Sequence, residues 1–220
     1  MTSRTSAPRD LAAFGGPLAA ISFVAGVAAG NGLSDAPYPR PGTSPDVIKR
    51  YFSDNAGPAR LSVVGQFISA GSLGVFTTSV VGLARRAGPG SGGLQAAAAA
   101  GGVLSVATLG ASALTSLQLT GGKADDPKTA VPLHRRAFLA GGPLHGPAIG
   151  LLTGALGLAG LGTNELPRWL STASLATAVA GLLAPLSIRT EKAVLLIPAS
   201  RFTGLLLAGI AGTTLGRRRR

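Results

Sequence analysis

Polar and apolar positions along this chain segregate into blocks rather than alternating residue by residue. Six runs, 11–33, 61–84, 94–119, 137–162, 169–188 and 193–215, are apolar almost throughout, and nearly all charged groups are collected in the segments between them. A bilayer core about 30 Å thick takes roughly 20 residues of apolar helix, and each run is long enough to cross it. The pattern predicts an all-α fold, a polytopic membrane bundle of six transmembrane helices. A polar N-terminal tail occupies 1–10, the membrane domain 11–216 and a basic C-terminal tail 217–220. The first run exceeds the roughly 7–15 apolar residues of a cleaved signal peptide and is read as a retained span.

The segment from Asn31 to Arg60 is the longest polar stretch. Pro37, Pro39, Pro41 and Pro45 keep its first half extended. Ser44 then stands as an N-cap, Pro45 at the first helical position and Asp46 in the first turn, which together signal a helix start. Val47, Ile48, Tyr51 and Phe52 share one face, opposite Lys49, Arg50 and Ser53. A short amphipathic helix lying along the membrane surface is expected here. It either rests on the headgroups or serves as a lid over a cavity or a docking element. The second long polar segment, Thr120 to Arg136, is read as a loop.

The fourth run carries Gly142, Gly146, Gly150 and Gly154 at four-residue spacing, and the sixth carries Gly204, Ala208 and Gly212 in the same register. Residues four apart lie on one helix face, so each set forms a groove for a neighbouring backbone, as small-xxx-small ladders do in lipid. The fourth span is therefore expected to be the packing hub. Pro143 and Pro147 remove two of its backbone donors and free the carbonyls of Leu139 and Pro143. A kink is expected there, and another at Pro198 in the sixth span.

Composition narrows the chemistry. A net charge of +12 would point to nucleic acid if it sat on one soluble face, but here it is spread over every connecting segment. It reads as basic flanks that orient helices and touch anionic headgroups. With no cysteine there is no disulfide, iron–sulfur cluster or thiolate metal site. His134 and His145 are about 16.5 Å apart on a continuous helix, too far to share a metal or a haem, so no metal and no cofactor is expected. His145, between two prolines, is a candidate proton site or hinge, or else donates to a carbonyl freed by the kink. Arg201 follows eight apolar residues, and the fifteen after it cannot cross about 30 Å alone, so it lies within the membrane. An arginine there needs a partner: a backbone carbonyl, a loop carboxylate, a lipid phosphate or a bound anion. Arg201 and His145 are the candidate ligand-binding residues. No span contains a carboxylate, which argues against an ordinary proton- or sodium-coupled pump. No Ser/His/Asp set, His-Glu-x-x-His or phosphate-cradling glycine loop is present, so no catalytic residue is assigned.

Pro45-Asp46-Val47-Ile48-Lys49-Arg50-Tyr51-Phe52 after the first run and Leu196-Ile197-Pro198-Ala199-Ser200-Arg201-Phe202 in the last resemble motifs of the six-helix integral membrane proteins of high-GC actinobacteria. The resemblance implies a six-span fold and carries no activity with it. The functional expectation is a structural or accessory envelope component, or a subunit of a membrane complex. The alternative is a small transporter or channel-like protein for an anionic or lipid-like molecule. A mid-depth cavity lined by both His145 and Arg201 favours the alternative, and close-packed helices favour the first. Expected partners are membrane lipids, a second copy or another membrane protein, and no nucleic acid. The two sides of the membrane receive nearly equal numbers of basic residues, but the densest cluster directly abuts the last span. Both termini are therefore expected in the cytoplasm and 45–52 on the outer face of the cell membrane.

Overall fold

The computed structural model describes residues 10–217. The N-terminal tail before Asp10 and the arginines after Arg217 lie outside the described residues. Among the described residues, six helical segments are long and apolar enough to cross a membrane: Leu11–Gly32, Ala56–Arg86, Gly92–Lys123, Pro127–Thr163, Arg168–Ile188 and Glu191–Arg217. The protein is an all-α, six-span bundle. Its outer surface is apolar at mid-span, where Leu18, Ile21, Val64, Phe67, Val103, Leu158, Val179 and Leu206 are all exposed. Contiguous apolar surface on that scale suits lipid and not water.

Among the described residues, eight α-helices make up these spans and the amphipathic segment after the first: α1 (Gly15–Gly32), α2 (Pro45–Asp54), α3 (Ala56–Arg86), α4 (Gly92–Gln118), α5 (Pro127–Gly141), α6 (His145–Thr163), α7 (Arg168–Leu183) and α8 (Leu196–Arg217). Neighbours run in a closed ring, α1 to α3 to α4 to α6 to α7 to α8 and back to α1, and α6 also touches α3 and α8. α6 thus packs against four of the other spans and is the hub. The reason is its small residues. A Cβ added at Gly150 would stand 3.0 Å from the Ala178 carbonyl oxygen, and one at Gly181 would stand 2.5 Å from that of Gly146. Backbones meet at such separations only where side chains are missing. Gly154 faces the Ala178 methyl in the same seam between α6 and α7.

The ladder in α8 serves different partners. Gly204 faces Ile149 of α6, whereas Ala208 lies with its carbonyl against Gly16, and Gly212 lies against Ala13 and Pro17 at the start of the first span. The sixth span is consequently clamped between α6 and α1.

Several expectations need correction. Gly142 is outside the groove: with φ −118° and ψ −96° it ends α5, and the fourth span is two helices joined through Gly142–Leu144. Pro143 forces this break because it has no N–H to give, and the Leu139 carbonyl accepts instead from Leu144 N–H at 3.0 Å. Pro147 and Pro198 do not kink anything. Each is the third residue of its helix, α6 and α8, where the N–H has no intrahelical acceptor to lose. The separation of His134 and His145 computed for a continuous helix therefore does not apply.

The segment Thr120 to Arg136 is not a loop. α4 runs on through a π-turn at Leu119–Lys123, where Gly122 takes a φ of +94° that L side chains rarely adopt. α5 then starts at once. Asp126 caps it by accepting from Lys128 N–H at 3.1 Å and the Thr129 hydroxyl at 2.6 Å, and these bonds hold its carboxyl below the usual range. Asp-Pro at N-cap and N1 was the sequence signal.

Candidate functional site

A cavity of about 360 Å³ opens at the end of the bundle where α1 finishes and α8 begins. Five spans contribute walls: Phe23, Val27 and Asn31 from α1, Ala59, Ser62, Val63 and Gln66 from α3, Ser112 and Ser116 from α4, Ala137, Phe138 and Gly141 from α5, and Ile197, Arg201 and Phe202 from α8. Tyr38, Tyr51 and Phe52 form the roof. The break in the fourth span sits at this wall, with Gly142 among the lining residues. Missing side chains matter again, because a Cβ at Gly141 would stand 2.5 Å from Ser112 Oγ. Gly141 lets α5 lie close against α4 at this wall.

Among the described residues, Arg201 is the one charged residue of the lining. Its guanidinium carbon stands 4.2 Å from the centre of the Phe23 ring, and Phe23 is itself held edge-on against Phe202 at 5.5 Å. A cation over an aromatic face gains on the order of 1–2 kcal/mol when desolvated, less than the cost of about 2.5 kcal/mol or more of placing arginine within a membrane. Among the described residues no carboxylate makes an ion pair with it. Arg201 Nε is buried without a hydrogen-bond partner, and so is Oε1 of Gln66 in the opposite wall. On the α4 wall, which also carries Ser116, Ser112 has its hydrogen committed to the Ala137 carbonyl at 2.9 Å.

The roof is built from the first polar segment. Ser44 precedes α2 as expected, but caps it through its backbone carbonyl and not its hydroxyl. Ile48, Tyr51 and Phe52 are buried, whereas Val47 is 41% exposed. This face does not lie on headgroups. It packs with Ala59, Leu119, Ala124, Ala130 and Leu133 into a small cluster separate from the main core, and the cavity lies between the two. Tyr38 stacks on His134 at 5.5 Å and meets the edges of Tyr51 and Phe52 at 5.4 and 6.0 Å. His134 Nε2 bonds the Pro39 carbonyl at 3.1 Å; since a carbonyl only accepts, that nitrogen carries the proton. Asn55 Oδ1 accepts from Asp35 N–H at 2.8 Å, and Lys49 reaches Asp125 at 3.5 Å. Tyr38 is 41% exposed as a whole residue, yet its hydroxyl end is enclosed. Burial pushes the phenol up to about 12, with the Ser116 hydrogen bond and the Arg201 charge acting in the opposite sense.

His145 does not join Arg201 at the cavity. It is fully buried at the first position of α6, and its Nδ1 lies 3.0 Å from the Thr108 hydroxyl. That hydroxyl also lies 2.7 Å from the Leu104 carbonyl, and His145 Nε2 is buried without a hydrogen-bond partner. The carbonyl that Pro143 freed is taken by the backbone, so the imidazole does not serve it. Of the two candidate ligand residues, only Arg201 faces the open space.

Sequence reasoning missed Gln66, Tyr38 and Ser116. They lie on three separate segments that only the tertiary fold brings to one cavity, and no local spacing marks them. Tyr51 and Phe52 were legible as an apolar face, though not as a roof. Comparison with protein-family models, with curated proteins and with solved structures finds no match to this chain. Fold and cavity define the class: a six-span helical membrane bundle with a lidded chamber at one end.

Proposed function

We propose that this is a small-molecule binding protein of the cell membrane; the transport reading calls for a mid-depth cavity lined by both His145 and Arg201, and this cavity lies at one end of the bundle and meets Arg201 alone. The observation that carries it is the cavity. A protein selected only for packing has no reason to hold about 360 Å³ open beside an arginine without a carboxylate, since voids and unpaired polar groups both cost stability. The lid explains access. α2 and Tyr38 are tied down by a minor cluster, ring contacts, a few hydrogen bonds and an exposed ion pair, whereas the spans share a continuous core. Segments with few buried contacts open at low free energy.

Both termini lie in the cytoplasm on this reading, and the lid faces outward. The kinship with actinobacterial six-helix proteins remains our proposal on the two motifs that suggested it. The structural or accessory role keeps one observation in its favour: the half of the bundle away from the lid is closed by glycine seams and by the Arg86–Glu165 pair at 2.6 Å.

The test exploits the absence of native thiols. Lys49→Cys and Asp125→Cys are to be joined across the lid by a reversible bis-methanethiosulfonate. Bridged protein is expected to keep a stoichiometric small molecule through detergent exchange, detected by mass spectrometry of the extract, and to release it on reduction. It is also expected to protect a Ser116→Cys in the cavity wall from a small maleimide. If bridging changes neither retention nor protection, the lidded-cavity reading fails.

A further inference from the structure

The chemistry of the lining narrows what the cavity holds. This step rests on the binding role proposed above and deepens it. We infer that the occupant is an amphiphile with an oxyanion head, a carboxylate or phosphate held by Arg201, and an apolar body lying along Phe23, Val27, Val63 and Ile197.

Three features converge. Among the described residues the guanidinium is the sole formal charge of the cavity wall, and its planar fork of donors matches carboxylate and phosphate oxygens two at a time. The Phe23 ring covers one face of the cation and leaves the in-plane N–H groups as the means of recognition. Nε is buried and unbonded with no accessible surface of its own, so the terminal N–H groups of the half-buried side chain are the ones left to meet a ligand. A neutral ligand would leave the positive charge unanswered in a low-dielectric site, and a cation would repel it. A bound water needs two to four polar partners, which Asn31, Gln66, Ser116 and Arg201 offer on one part of the lining, but Phe23, Val27, Val63 and Ile197 offer none. The apolar wall therefore calls for a chain or ring next to the head. The Tyr38 hydroxyl, neutral well past physiological pH, adds a donor at the roof that does not compete for the cation.

An oxyanion at Arg201 has two sources, a separate amphiphile or the headgroup of a bilayer phospholipid reaching in. The enclosed position beneath Tyr38, Tyr51 and Phe52 favours the separate molecule. Thermal stability in a neutral maltoside distinguishes the cases, using decanoate, decyl phosphate, decanol and decyltrimethylammonium as probes. Decanoate or decyl phosphate is expected to raise the melting temperature of the native protein with at least tenfold higher apparent affinity than decanol, and the ammonium is expected to have no effect. Arg201→Gln is expected to abolish that preference and Arg201→Lys to retain part of it. If neither variant folds, the rank order on the native sequence still decides. Equal binding of decanol and decanoate would overturn the oxyanion assignment and leave the cavity reading intact. Stabilisation that appears only in nanodiscs containing phosphatidylglycerol, with no response to either soluble anion, would also overturn it and make Arg201 a bilayer anchor. Binding of none of the four probes, while the bridged lid still retains a molecule, would overturn the ligand class alone.

Discussion

Tyr38 and Tyr51 are the only tyrosines of the chain, and both belong to the roof, which makes the seating of the lid measurable at a single side chain. In a Tyr51→Phe background the remaining phenol, raised by burial to about 12 in the native chain with a smaller upward contribution from Tyr51, is expected to ionise still clearly above its ordinary 10, as read by ultraviolet absorbance. The sign follows from which state keeps the proton. Below pH 10 folded and unfolded chains both carry it and stability is unaffected. Between 10 and 12 the unfolded chain loses its proton first, so stability falls as pH rises through that window. A midpoint near 10 would mean that the hydroxyl faces solvent and that the lid is not seated. At this scale too, buried hydroxyls explain themselves: Thr77, Thr153 and Ser174 bond the carbonyls of Leu73, Ile149 and Leu170 one turn back. They need no functional role.

Between elements, the spans are joined mainly by what their contact faces lack. The seam of Gly146, Gly150 and Gly154 with Ala178 and Gly181 sets the separation of α6 and α7, and Gly26 meets Gly65 across α1 and α3, where a Cβ would stand 2.8 Å from the partner Cα. Gly150→Leu is expected to destabilise the protein by roughly 1–3 kcal/mol, the usual cost of overpacking, or to block folding. Leu158→Ala, on the same helix but 53% exposed, is expected to change it little because lipid replaces the lost contact. Comparable melting temperatures for the two variants in detergent would remove α6 as hub. The tetrapeptide Gly-Gly-Pro-Leu shows how far an element depends on what precedes it. At 15–18 it opens α1, where the proline takes a first-turn position, and at 141–144 it follows fourteen residues of helix and breaks them.

For the whole molecule, orientation decides which compartment the cavity meets. With an even number of spans the termini share a side, and the basic residues divide almost evenly between sides, so the cluster abutting the last span carries the assignment. Ser53, exposed on the lid, and Gly93, exposed at the start of α4 with nothing near a Cβ, lie on opposite faces. In intact cells a Ser53→Cys is expected to react with an impermeant maleimide and a Gly93→Cys only after lysis. The reverse pattern would place the lid in the cytoplasm.

The number of spans, their helical nature and the amphipathic segment after the first were set by the sequence alone. Each depends on a quantity local to a stretch of chain: enough apolar length to cross a bilayer, or a run of polar and apolar positions at helical spacing. The candidate arginine was legible for the same reason, as a charge within such a run. The tertiary structure alone decided which glycine met which helix, that Gly142 ended one helix while Gly146 packed another, that Arg201 faced open space and His145 did not, and that the amphipathic face roofed a cavity instead of resting on lipid. A pattern along one helix states that a face is apolar or small, but not what covers it, because lipid and protein present similar chemistry inside a membrane. Only the packing of five spans and the lid around one space distinguishes them.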